Sequence, residues 1–185
     1  MKFTIVLFVL LFSGLILAGD VGNTGTGKPG ETRSDGENQL LQLRNKEGAR
    51  VIFSAATVGG HKNIKPFHKD TTLIYRTVMT NIGNAYSPST GIFTAPFAGV
   101  YYFTIFFHTG RGHEAKLLLY KNNEHVLTTH NQPSSYTADN GGNAAFLMLQ
   151  HGDQMYVRMG ENTPAWGSDY HTIFSGFSVK MFPPK

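Results

Sequence analysis

From Arg50 onward, apolar and polar side chains alternate in short runs and do not recur at helical spacing. The clearest run is Tyr101, Phe103, Ile105 and Phe107, interleaved with Tyr102, Thr104, Phe106 and His108, so one parity is wholly bulky and apolar. Successive side chains of a strand point to opposite faces, which puts that parity in a core. Further strands are expected at Val51-Ile52-Phe53, Thr71–Thr80, Ala115–Lys121, His125–His130, Ala144–Leu149, Gln154–Met159 and Thr172–Met181. Between them lie Thr109-Gly110-Arg111-Gly112, Lys121-Asn122-Asn123 and Asp139-Asn140-Gly141-Gly142, clusters rich in residues that accept tight-turn conformations. Many short strands without intervening helices predict an all-β sandwich or jelly roll.

Two segments carry apolar residues on both parities: Ala144 to Leu149, and Leu117-Leu118-Leu119-Tyr120. One face of each enters the core and the other still needs cover. A second copy of the chain is the economical cover, because contiguous apolar patches of several hundred Å² are unusual on monomers, and a homo-oligomer is expected.

The first 48 residues follow another pattern. Met1-Lys2 and the apolar run Phe3–Leu17 give way to Ala18-Gly19 and Asp20, the layout of a secretory signal peptide over residues 1–19. The run of about fifteen residues is short of the ~20 that span a bilayer, and no later segment is apolar for long enough, so a secreted, extracellular protein without a membrane span is expected. Residues 20–48 are Gly- and polar-rich, a flexible linker in which Leu40, Leu41 and Leu43 offer at most a short stem. Residues 49–185 hold the globular domain. Gly22, Gly25, Gly27 and Gly30 break phase and cannot nucleate a collagen triple helix. The same glycines with Lys28 fail as a phosphate loop, since Pro29 stands where a hydroxyl for magnesium is needed.

Composition narrows the chemistry. With no cysteine there is no disulfide framework, thiolate metal site or cysteine nucleophile. Losing Lys2 with the leader leaves 15 positive against 12 negative side chains, too mild a surplus for a nucleic-acid binder. Neither a Gly-x-Ser-x-Gly elbow nor a His-Glu-x-x-His pair occurs, and His108/His113 and His125/His130 are each separated by an odd interval that puts them on opposite faces of a continuous strand. The chain reads as a non-enzyme.

Tyr75, Asn81, Tyr86, Phe93, Gly99, Tyr101 and Phe103, with Phe93-Thr94-Ala95-Pro96 between them, resemble the signature of the globular head domain of complement C1q. Leu149 followed by Gly152-Asp153-Gln154 and the closing Phe174-Ser175-Gly176-Phe177 agree with it, and the resemblance covers about Ala49 to Phe182. It implies a jelly-roll β-sandwich of about ten strands, similar to that of tumour necrosis factor, assembling as a homotrimer. Tyr75 stands where a Phe is usual and Ile105 where an aromatic is usual, and both keep an apolar body. A collagen stalk is missing. The motif residues read as architecture, and function is expected in loops.

Two loops stand out. Asp139-Asn140-Gly141 is an oxygen-rich turn, and the resemblance implies calcium near the trimer axis with Asp139 at an acidic ligand position; three copies would supply the hard oxygens that one lacks. His61, Lys62, Lys65, His68 and Lys69 form a basic loop that, repeated in a trimer, attracts microbial or other anionic surfaces. The expected function is innate-immune pattern recognition by a secreted trimer. The alternative is a secreted signalling ligand, adipokine-like or cerebellin-like, that binds a cell-surface receptor; the missing cysteines count against the cerebellin type.

Overall fold

The alternating segments become antiparallel strands in the structure, a computed structural model that describes residues 36–41, 50–57, 62–64, 68–167 and 170–182. Of Lys62 and Asn63 only the backbone is described. The chain divides into Met1–Asn38 and Gln39–Lys185. Residues 36–41 are helical and exposed, and the expected leader and most of the linker lie outside the described residues. In chain order the strands are β1 Ile52–Ala56, β2 Lys62–Ile64, β3 Thr71–Thr72, β4 Thr77–Ile82, β5 Tyr86–Ser87, β6 Ile92–Thr94, β7 Gly99–Thr109, β8 Ala115–Lys121, β9 Glu124–Asn131, β10 Asp139–Leu149, β11 Gln154–Met159, β12 Ala165–Gly167 and β13 Ile173–Met181.

A five-stranded sheet has the order β10-β7-β13-β1-β4, and a six-stranded sheet has β5-β6-β11-β8-β9 with β3 also on β11; β2 and β12 form a separate pair. Each successive step from β7 to β8, β9 to β10, and β10 to β11 changes sheet, the winding of a jelly roll. Tyr101, Phe103, Ile105 and Phe107 of β7 are buried as their alternation requires, and meet Leu117, Leu119, Met155 and Val157 of the other sheet. Phe53 sits at the centre, its ring 4.8 Å from Tyr86, 5.2 Å from Phe93 and 4.8 Å from Phe174. Gly176 faces this cluster because a Cβ there would come within 2.5 Å of the Phe103 ring and 2.8 Å of Phe53.

The dispersed motif positions are joined by hydrogen bonds. The Asn81 amide donates to the Tyr86 carbonyl at 2.9 Å and its Oδ1 accepts from the Tyr86 N–H at 3.3 Å, clipping the turn between β4 and β5. The Tyr86 hydroxyl then donates to the Tyr75 carbonyl at 2.8 Å. Burial pushes the Tyr86 and Tyr101 phenols up to about 12, so both stay neutral donors. Gly99 opens β7 beside the Lys180 carbonyl. Gly152 turns the chain into Asp153, whose carboxylate takes the Gln150 N–H at 2.9 Å, the Asn122 amide at 3.1 Å and the Lys121 ammonium at 3.0 Å.

Four expectations are corrected. Asp139-Asn140-Gly141-Gly142 is the start of β10, paired with Thr109 to Phe106, and not a turn. Composition misleads there because the rings of Phe107 and Phe106 occupy the space that side chains at Gly141 and Gly142 would need. Thr71–Thr80 is not one strand. Residues 73–76 leave the six-stranded sheet, where the Leu73 N–H donates to the Val157 carbonyl at 2.8 Å, and cross to the five-stranded one, burying Leu73 and Tyr75 on the way. Leu118 needs no further cover, being 6% exposed in a cross-strand row with Arg158 and Thr128. Finally, Lys62–Ile64 of the basic loop is a strand, held in register against Ala165–Gly167.

Candidate functional site

Strand register gathers on one surface side chains that are far apart in sequence. Phe146, Tyr102, Phe177, Ile52 and Ile82 are successive cross-strand partners on β10, β7, β13, β1 and β4. They share the parity opposite to the buried one, so they form a single apolar row across the outer face of the five-stranded sheet. The Tyr102 ring lies 4.8 Å from Phe146 and 5.4 Å from Phe177. Phe146 is 65% exposed and Ile82 54%, and Met148, Phe106 and Val179 extend the patch at 61%, 52% and 49%. Exposed apolar residues scattered singly are ordinary, but a row spanning every strand of a sheet is not.

Beside the apolar row runs a second one of hydroxyls, Thr104, Ser175, Ser54 and Thr80. Ser54 Oγ and Ser175 Oγ are 2.8 Å apart, while Thr104 Oγ1 is buried without a partner. A groove of about 460 Å³ opens at the Ile52 and Phe177 end, lined by Arg50, Lys180 and Met181 as well. At the other end His108 Nδ1 donates to Asn140 Oδ1 at 2.8 Å, and its ring is 4.9 Å from that of His171.

The structure describes only part of the set singled out as ligand or metal sites. His68 and Lys69 are exposed, and Lys62 contributes its described backbone to β2. His61 and Lys65 lie outside the described residues. Asp139 has the parity of buried Thr109, its register partner, and is turned toward the other sheet, where Asn131 donates to Oδ2 at 3.4 Å; Thr137 donates to Oδ1 at 3.4 Å. Among the described residues no three His, Asp or Glu side chains gather as a metal site. One chain offers calcium a single carboxylate at Asp139, far from the six to eight oxygens the ion takes. Among the described residues, His130 Nε2 meets Glu114 Oε1 at 2.8 Å and no helix is long and apolar enough to cross a membrane.

Sequence reading foresaw exposed apolar faces on β10 but missed Phe106, Phe177 and Ile82, whose alignment with Phe146 depends on pairing registers that no local pattern encodes. It also missed Arg158, a lone cation in an apolar strand.

A family model described as C1q domain matches residues 53–179, which is most of the chain and nearly all of both sheets. The chain belongs to the C1q domain family. It is 31% identical over 111 residues to complement C1q tumor necrosis factor-related protein 3 of Mus musculus, and equally to that of Homo sapiens; each match covers 60% of this chain and 45% of the relative. This chain therefore aligns with less than half of those relatives' length. Among solved structures, the globular domain of a zebrafish complement 1qA protein superposes with a TM-score of 0.57 at 19% identity, covering 71% of this chain and 99% of that one. Murine APRIL superposes at 0.57 with 10% identity, covering 70% and 99%, and Eiger, a tumour necrosis factor from S. frugiperda, at 0.56 with 14%, covering 73% and 94%. The fold is thus the jelly roll shared by C1q heads and tumour necrosis factors, as the dispersed aromatic and glycine signature implied.

Proposed function

We propose that this protein is secreted, assembles as a homotrimer through the outer face of its five-stranded sheet, and acts as a non-enzymatic innate-immune recognition molecule for microbial or other anionic surfaces. The observation that carries the reading is the apolar row Phe146, Tyr102, Phe177, Ile52 and Ile82, solvated in the single chain and suited to burial between copies. Rotational symmetry then presents each copy's remaining surface three times, so that weak individual contacts act together on a repetitive surface. Sedimentation of the purified, processed protein, with binding to a panel of bacteria in the same preparation, tests both halves. A trimer that binds bacteria is expected, and a stable single chain, or a trimer indifferent to every microbial surface, refutes it.

A second reading, a secreted ligand for a cell-surface receptor, is favoured by the curated relatives, whose name joins C1q to tumour necrosis factor. Induction on infection separates the two: recognition requires it, and constitutive endocrine or neural expression supports signalling.

A further inference from the structure

The outer face of the six-stranded sheet carries no large exposed apolar side chain on β8, β9 or β11, and in its place holds one cation on an aromatic floor. Arg158 lies on β11 between Thr72 and Leu118, on the parity opposite to buried Met155, Val157 and Met159. Its guanidinium carbon is 4.4 Å from the centre of the Tyr120 ring and 5.4 Å from that of Tyr156. The two rings are cross-strand partners, nearly parallel at 7° with centres 5.7 Å apart. The far side of Tyr120 is flanked by His125 at 5.6 Å. Tyr156 is itself fixed, its hydroxyl donating to the Asn122 carbonyl.

Attraction between a guanidinium and ring faces uses none of its N–H donors as hydrogen bonds. Of the five donors one is used, weakly, in a 3.5 Å contact to the Tyr156 hydroxyl. The ion pairs among the described residues are Lys121–Asp153 and His130–Glu114, and neither involves Arg158. A half-buried cation already ordered by two tyrosines, with no carboxylate of its own, is prepared to take a planar or tetrahedral oxyanion at little further entropic cost.

We propose that Arg158, seated on Tyr120 and Tyr156, is a binding site for an acidic saccharide, its guanidinium edge gripping a carboxylate or sulfate while Tyr120 and His125 border the sugar ring. The absence of exposed large apolar side chains on these strands leaves nothing to enter a bilayer, which separates this ligand from an anionic membrane. The site deepens the recognition reading, on which it rests, and lies on the sheet that the proposed assembly leaves outward, so a trimer offers it in triplicate.

The test uses the full processed protein on immobilised heparin hexasaccharide, on polysialic acid and on neutral dextran, beside phosphatidylserine vesicles and whole bacteria. Binding to one or both acidic saccharides and not to dextran is expected, the two arms telling sulfate from carboxylate. Arg158→Gln should weaken it about tenfold or more, and Arg158→Lys should weaken it nearly as much, because a point charge lacks the two-pronged edge. Melting temperature and sedimentation of both variants verify that fold and assembly persist. Wild-type affinity in Arg158→Lys, binding to vesicles in preference to saccharides, or no saccharide binding by the wild type each overturns the site. Bacterial binding that survives Arg158→Gln overturns the site while the recognition reading stands; bacterial binding absent from the wild type overturns that reading itself.

Discussion

The two sheets bury similar inner faces and differ in what they turn outward. The five-stranded sheet displays Phe146, Met148, Phe106 and Phe177, all more than 40% exposed, while the six-stranded sheet displays Lys116, Arg158, His125 and His130 over a buried Leu118. An apolar outer face gains free energy only when another protein surface excludes its water, whereas a cationic one gains by staying wet and meeting an anion. On the proposed reading one jelly roll would assign self-association and ligand capture to opposite sides, and a change on one side should leave the other function standing.

A charge placed on each side breaks that comparison most sharply. Phe146→Asp introduces a carboxylate into the apolar row, where burial between copies leaves it unpaired at a cost of about 3 kcal/mol or more per copy. The sedimenting mass should fall to that of one chain at micromolar concentration. Thr128→Asp, on the outer row of the six-stranded sheet beside Leu118, should leave the mass unchanged. Equal behaviour of the two variants, in either direction, shows that the sheets do not divide the work.

A second test asks whether the six-stranded side holds its shape without help from assembly. Burial works to raise the Asp153 carboxyl, but the Gln150 backbone bond, the Asn122 amide and the Lys121 ammonium outweigh it and hold the group below the ordinary carboxylate range. A depressed folded pKa stabilises at pH values above the unfolded value of about 3.9 and loses that contribution as pH falls through the folded one. Asp153→Asn should cost about 1–3 kcal/mol at neutral pH and flatten the acid limb of a stability curve below about pH 5. A parallel curve offset from the wild type contradicts the assignment of the acid sensitivity to Asp153.

What could be read from the sequence depended on how local the signal was. The parity of Tyr101 to Phe107 and the extents of Ala115–Lys121 and Gln154–Met159 follow from side chains a few residues apart, and they agree with the structure to the residue. The family signature was legible because its glycines and aromatics are fixed by close contacts, such as Gly176 against Phe103. The start of β10 was not legible, since Asp-Asn-Gly-Gly has turn chemistry that only pairing with Thr109–Phe106 overrides. Cross-strand rows were equally hidden. Neither Phe146 beside Tyr102 nor Arg158 above Tyr120 can be inferred without the register, and both candidate surfaces are made of such pairs.

Removing the basic segment's charge gives a smaller effect than removing Arg158. With Lys62, Lys65 and Lys69 all changed to Ser, affinity for anionic particles should fall by roughly threefold and depend less on salt, the behaviour of a basic segment that attracts through a screened field. A loss exceeding that of Arg158→Gln moves the principal contact from the sheet face to this segment and breaks the proposed division at its ligand half.

Calcium gives the smallest expected response. Were Asp139 a ligand on a shared axis, its carboxylate would belong to the outward parity that copies bury against one another. It has instead the inward parity of Thr109, with Asn131 of β9 and Thr137 donating to it, while Asn140 takes the outward position beside His108. Three copies related through the apolar face would therefore bring together amides more readily than carboxylates, and neutral oxygens alone bind the ion weakly. On that placement of Asp139, millimolar calcium should move the melting temperature by less than about 1 °C. A larger rise that Asp139→Asn abolishes requires carboxylates to converge between copies, and forces a different face onto the assembly axis.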